Sequence, residues 1–287
     1  MMNCTSVRRQ IRMVVGCSLS FFAVVAMADD TVSISDSLYA LSNPEDANVA
    51  QPNAWHFTVG AGMVVMPKFP GASGSKVEGV PLLGASYGRY FIGSNPDAGA
   101  LLALGGYLYR DSNWRVGLAV TYDFIEPRQE SDDSRLYGLG DVKRTAHAEL
   151  FAVYTLAWMS ARGSVSTDIA GNKRGTVATF DVMARYQPIP QLTLTAGPGL
   201  TWGSSQYNQT YFGVNDEQSA RSGLPGYSPS SGLNNLRFSV GANYRLATHW
   251  NVGATITAAW LQGDSGNSPI VEKKNQMTYG LFANYLF

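Results

Sequence analysis

His147 and Glu149 stand two positions apart in a stretch, Thr145 to Leu156, whose residues alternate in character, so both side chains point to one face. With a serine across an enclosed space, such a pair could work as a hydrolase, the imidazole taking a proton and the hydroxyl attacking. The same alternation, however, places Arg115, Asp123, Arg162, Asp181, Arg185, Arg237 and Arg245 on the corresponding faces of their own stretches, and a water-filled interior lined with charge accounts for them all. Gly71-Ala72-Ser73-Gly74-Ser75 misses the spacing of a nucleophile elbow by one residue, because that turn needs glycine where Ser75 stands. The three histidines, His56, His147 and His249, are far apart, and no pair has the spacing of metal ligands. Asp132, Asp133, Asp141, Asp216 and Asp264 fall in loop-like stretches, where solvated charge is the simplest reading. No helix follows Gly105-Gly106 to make a phosphate loop. No catalytic residue, metal site or cofactor is assigned.

The elements that would position these residues are strands. From Gln276 to the terminal Phe287 every second residue is apolar, namely Met277, Tyr279, Leu281, Ala283, Tyr285 and Phe287, and a period of two is a strand with two unlike faces. Trp114, Val116, Leu118, Val120 and Tyr122 alternate in the same way with Arg115, Gly117, Ala119 and Thr121. An exterior that meets lipid and an interior that meets water explain the division. Such stretches repeat along the chain, separated by short turns near Ser112, Ala157, Ile189 and Thr248 and by longer loops near Asp133, Asn172, Ser219 and Ser268. If the chain also reverses around Tyr87-Gly88, the pattern predicts an all-β antiparallel transmembrane barrel of twelve strands with both ends on the periplasmic side; ten is the alternative. Trp250 and Trp260, ten residues apart on one face, are about one membrane crossing from each other, and with Trp202, Tyr285 and Phe287 they are candidates for the aromatic girdles.

Composition agrees. Of 287 residues 45% are apolar and only 15% charged, below the quarter usual in soluble globules, and formal charge is zero, which argues against nucleic acid as a partner. Arg8, Arg9 and Arg12, then the apolar run Met13 to Val25, then Ala26-Met27-Ala28 have the three parts of a secretory signal, giving a signal peptide over 1–28. Both cysteines, Cys4 and Cys17, lie within it, so the mature chain has no disulfide or thiolate chemistry. Residues 29–53 are polar and aperiodic and read as a flexible periplasmic leader, which leaves 54–287 for the barrel.

Several segments resemble the MipA/OmpV family of Gram-negative outer-membrane proteins over essentially all of the mature length. They are Phe69-Pro70-Gly71-Ala72-Ser73, Leu136-Tyr137-Gly138-Leu139-Gly140-Asp141-Val142, Tyr207 with Tyr211-Phe212-Gly213-Val214, Ser222-Gly223-Leu224-Pro225, Ser268-Pro269-Ile270-Val271, and the terminal Phe287. Phe69 stands where a tyrosine is more usual, and Ser204-Ser205 where an aspartate is expected. The resemblance implies a scaffold that brings a lytic murein transglycosylase together with a penicillin-binding protein during cell-wall growth. Other members are described as porin-like, adhesive or involved in antibiotic susceptibility.

Three functions are therefore expected in order. The first is an interaction scaffold for periplasmic murein enzymes, in the outer membrane among lipid and lipopolysaccharide, inserted by the barrel assembly machinery through the C-terminal strand. The second is a narrow channel for anions, because five inward arginines against Asp123, Glu149 and Asp181 would bias an open lumen positive. The third is an adhesin or ligand receptor using the loop 203–234, with Tyr207, Tyr211, Phe212 and Tyr227 as candidate contacts.

Overall fold

A computed structural model describes Ala40 and residues 54–287. The signal peptide and, Ala40 apart, the leader lie outside the described residues. Twelve strands follow one another: β1 Trp55–Pro67, β2 Ser75–Tyr87, β3 Tyr90–Asn95, β4 Ala100–Arg110, β5 Trp114–Tyr122, β6 Ala146–Leu156, β7 Met159–Asp168, β8 Thr176–Ile189, β9 Leu192–Gly203, β10 Gly232–Arg245, β11 Trp250–Leu261 and β12 Asn275–Leu286. Each pairs antiparallel with its neighbours in sequence, and β1 closes on β12 from Thr58 opposite Leu286 to Val65 opposite Tyr279. The backbone N–H of Phe287 donates to Phe57, so the last residue is tied into the seam. Closure removes both sheet edges, the condition for strands to cross a membrane.

The alternation seen in the sequence has a direct structural cause. Along β5, Trp114, Leu118, Val120 and Tyr122 are exposed, while Arg115, Gly117, Ala119 and Thr121 are buried. β12 repeats this with Met277, Tyr279 and Leu281 outside and Gln276, Thr278 and Phe282 inside. Aromatic residues gather at the end where the chain termini of the barrel meet: Trp55 packs on Phe57 and Tyr87, Trp114 on Tyr154, and Trp250 and Phe287 on Tyr285. Trp202 and Trp260 sit near the other ends of β9 and β11, exposed on the outer face. Ten residues of strand span about 34 Å, or about 26 Å along the barrel axis at a tilt of about 40°. That matches the height of an apolar membrane band.

The interior holds apolar clusters beside the inward charges that the alternation picked out. Val64, Met66, Val80, Leu82, Ile125 and Phe282 pack as one buried group, and Phe91, Phe151, Ala98, Ala103 and Ala119 as another. Apart from Ile125 and Ala98, which lie in the segments after β5 and β3, these are ordinary strand residues of the inward parity. A narrow barrel can fill itself with side chains.

The loops opposite the termini are also structured. The stretch 204–231, expected to be a long irregular loop, contains α1 Ser205–Phe212 and α2 Asp216–Ser222; α1 is capped by the Ser204 hydroxyl and α2 by a capping box of Asn215 and Gln218. A third short helix, α3 Gly263–Asn267, follows β11. Phe69, Ala72, Leu136, Leu139, Val214 and Ile270, drawn from four loops, make a small core above the barrel. Val142, Tyr211, Phe212 and Leu261 continue it.

Candidate functional site

Two polar networks lie inside the strands. The first begins at Asp97, in the tight turn between β3 and β4. Its carboxylate is held by both nitrogens of an Arg115 fork, Nε to Oδ2 at 2.7 Å and Nη2 to Oδ1 at 2.9 Å, and receives the Tyr107 hydroxyl at 2.8 Å. Arg162 donates from Nε to the Asp97 carbonyl at 2.8 Å and from Nη2 to Glu149 at 3.1 Å, and lies 3.9 Å from Asp181. Asp181 in turn meets Arg237 at 2.5 Å, and Arg237 Nη1 donates to the Thr201 hydroxyl at 2.7 Å. Arg115, Arg162 and Arg237 thus face Asp97, Glu149 and Asp181 in a buried chain that reaches from β5 to β10. Forked arginine–carboxylate pairs are the geometry in which buried charge is tolerated.

The second network lies nearer the loops. Asp123 pairs with Arg174 at 2.6 Å, lies 3.1 Å from His147 Nε2, and accepts the backbone N–H of Thr145 at 2.9 Å. Arg174 also reaches the Tyr211 hydroxyl of α1 and lies over that ring, which fastens the loop core to the strands below. A cavity of about 90 Å³ separates the two networks, with His147, Glu149, Arg162 and Arg174 in its wall. His147 is drawn to Asp123 and Glu149 to Arg162, so the contact partner of each lies in a different network. Among the described residues no cluster of three or more His, Cys, Asp or Glu could hold a metal ion.

Arg115, Glu149, Arg162, Asp181 and Arg237 come together in one network, and Asp123 and His147 in the other. Arg185 is half-buried further along β8, and Arg245, of the same parity, is exposed at the terminal end of β10. The positive bias expected of an open lumen from five inward arginines is offset in part by Asp97, a buried carboxylate that the alternation did not reveal. Asp97, Arg174 and Tyr107 were missed because two sit in turns and the third joins through its hydroxyl. The spacing of Pro96 and Gly99 around Asp97 was the available turn signal. Of the loop aromatics, Tyr211 and Phe212 are buried and hold the loops together instead of facing a partner. Tyr207 is half-buried, its ring 4.6 Å from that of Tyr211, and Tyr227 donates to the Asp264 carbonyl at 2.8 Å.

Of the leader, Ala40 is described, and it is buried inside the barrel. Its carbonyl accepts the Thr195 hydroxyl at 2.7 Å, and its side chain packs with Val153 and Met183. These partners lie on inward faces of β6, β8 and β9, towards the terminal end.

A closed antiparallel barrel with an apolar outer wall, aromatic residues towards its ends and a charged, packed interior is an outer-membrane β-barrel protein. The family model described as MltA-interacting protein MipA matches residues 59–287, and the chain belongs to that family, the MipA/OmpV proteins. The MltA-interacting protein of Escherichia coli K12 is 30% identical over 173 residues, covering 59% of this chain and 69% of that protein. Outer membrane protein Omp26La of Vibrio anguillarum is 30% identical over 213 residues, 72% of each chain. Outer membrane protein OmpV of Vibrio cholerae is 28% identical over 198 residues, 67% of this chain and 68% of that one. Among solved structures, an outer-membrane channel from Pseudomonas putida F1 superposes with a TM-score of 0.47 at 16% identity, over 83% of this chain and 97% of that one. The protein resides in the outer membrane. By the rule that short turns and termini face the periplasm, the loop core faces outwards.

Proposed function

We propose that this protein is an interaction scaffold of the outer membrane that gathers periplasmic murein enzymes, and that its barrel is an anchor and not an open pore. The observation that carries the reading is the buried chain from Arg115 to Arg237, in which each guanidinium meets a carboxylate and none is left to face a permeant anion. Ala40 inside the periplasmic half supports it further, since chain at that position obstructs the lumen. The choice of partner rests on a relative: the Escherichia coli protein is named for its interaction with MltA. The resemblance supplies the partner class, a membrane-bound lytic murein transglycosylase acting with a penicillin-binding protein. The surface available for capture is the periplasmic rim, with its short turns and the leader.

The test has two parts. Refolded protein in a planar bilayer should stay electrically silent while remaining folded, and immobilised protein should retain the transglycosylase, less so when residues 29–52 are deleted. Steady conductance whose ion selectivity moves with Arg185→Glu would establish a pore and overturn the closed-anchor reading. A silent barrel that retains no murein enzyme would overturn the scaffold.

A further inference from the structure

The loop core encloses a second, polar recess at the outward end, remote from the periplasmic rim. About 400 Å³ in volume, it lies between the 139–143 segment, the β7–β8 loop at Asn172 and Lys173, and the helices α1 and α2. Arg128 forms part of its wall. This residue is only 2% exposed, donates Nη1 to the Tyr211 carbonyl at 2.9 Å, and has a buried Nε with no hydrogen-bond partner. Among the described residues no carboxylate lies within ion-pair distance of it, and burial pushes its pKa down to about 10. Asp132, Asp141 and Glu130 act on it only from beyond contact distance; a buried guanidinium with no direct ion pair is expensive, and an anion from outside relieves the cost.

Two more cations flank it. Lys143 and Lys173 are exposed and line the same recess. Lys173 sits in the left-handed region at φ 58°, and its carbonyl accepts the Thr210 hydroxyl at 2.8 Å, so the stem leaves a fixed point. Against these three stands Asp141, whose Oδ1 already accepts the Glu130 N–H at 2.8 Å. The remaining wall includes the amide side chains of Asn172, Gln206 and Gln209, donors and acceptors suited to sugar hydroxyls.

We propose that this recess binds an anionic oligosaccharide, one bearing phosphate or carboxylate, with Arg128, Lys143 and Lys173 meeting the charge and the amides meeting the hydroxyls. Phosphorylated lipopolysaccharide core and free uronic-acid sugars share that chemistry. Full-length protein in detergent is titrated calorimetrically with delipidated, phosphorylated core oligosaccharide, with trigalacturonate, and with neutral maltotriose. At least one acidic probe should bind, maltotriose should not, and rising salt should weaken the binding. Binding of core alone identifies the membrane's own lipopolysaccharide as the source, and binding of trigalacturonate identifies free acidic sugars. The double variant Lys143→Gln, Lys173→Asn should lose affinity at least tenfold; both sites are exposed, and asparagine tolerates the positive φ at 173. That variant should still capture periplasmic partners, which separates this site from the scaffold role. Failure of both acidic probes to bind, equal affinity in the double variant, or equal binding of maltotriose would overturn the proposal.

Discussion

Arg162 Nε donates to the carbonyl oxygen of Asp97 at 2.8 Å, joining residues 65 positions apart inside the barrel. The bond ties the inward-hanging turn between β3 and β4 to the wall of β7, and the other end of the same guanidinium neutralises Glu149. One side chain therefore decides both where that turn sits and whether the interior charge is balanced.

Removing it should be costly. Arg162→Ala leaves Glu149 buried without its partner and the Asp97 carbonyl without its donor, and breaking a buried pair from one side costs about 3–5 kcal/mol. The expected result is a clear fall in the urea midpoint of the refolded barrel. Arg162→Lys keeps the charge but not the divergent donors, and should lie between the two. A midpoint unchanged in Arg162→Ala would mean that the chain from Arg115 to Arg237 does not support the fold.

Acid should loosen the loop core before it unfolds the strands. The Asp133 carboxyl is held below the usual carboxylate range, first by the backbone N–H of Arg135 and then by Lys68, whose Nζ lies 3.0 Å away. A carboxylate with a lowered folded pKa stabilises fully above its unfolded value, about 3.9, and that contribution is lost as pH falls through the folded pKa. For a pair this near the surface the effect is about 0.2–1 kcal/mol. Proteolysis of the outer loops by an acid-active protease should rise a few-fold below about pH 4, and Asp133→Asn should be equally susceptible at neutral pH.

A glycine makes a sharper test of the same loops. Gly71 has φ 97°, and a Cβ there would fall 2.5 Å from Val271 Cγ2; its carbonyl also accepts the N–H groups of Glu272 and Lys273. Gly71→Ala combines strain with a clash and should cost about 1–3 kcal/mol, seen as faster loop cleavage with the strands intact. An unchanged cleavage rate would show that the first and last loops do not depend on each other.

The strands were legible because an outer wall in lipid must be apolar at every second residue, as in Trp114 to Tyr122. Most of the segments that carried the family resemblance proved to be one structure: Phe69, Leu136, Leu139, Val214 and Ile270, scattered over two hundred positions, meet in the loop core, while Phe287 lies in the seam at the opposite end. Nothing local announces that meeting, since a period of two describes a face and not a loop's destination. Inward apolar residues such as Val64 and Phe151 were equally opaque, because their sequence looks the same whether the lumen holds water or side chains. Arg245 shows the remaining gap: parity gives the side of the sheet, while exposure also depends on height along the barrel.

The position of Ala40 yields the last prediction. Gly241 has no side chain where a Cβ would stand 2.8 Å from the Ala40 carbonyl and 2.6 Å from the Thr195 hydroxyl, so the wall of β10 is cut back at the point where this residue rests. Gly241→Val should expel it. Both cysteines of the chain precede Ala28, so in a protein that begins at Asp29, Ala40→Cys gives a single reporter thiol. In an otherwise natural barrel that thiol should react slowly with a bulky maleimide, and with Gly241→Val at least ten times faster. Thr195→Val, which removes the hydrogen bond but adds little bulk, should give a smaller increase. Equal, rapid labelling in all three would place residue 40 in the periplasm and remove one of the two supports for a closed lumen. Slow labelling relieved by Gly241→Val would show that residue 40 occupies the barrel's own periplasmic half.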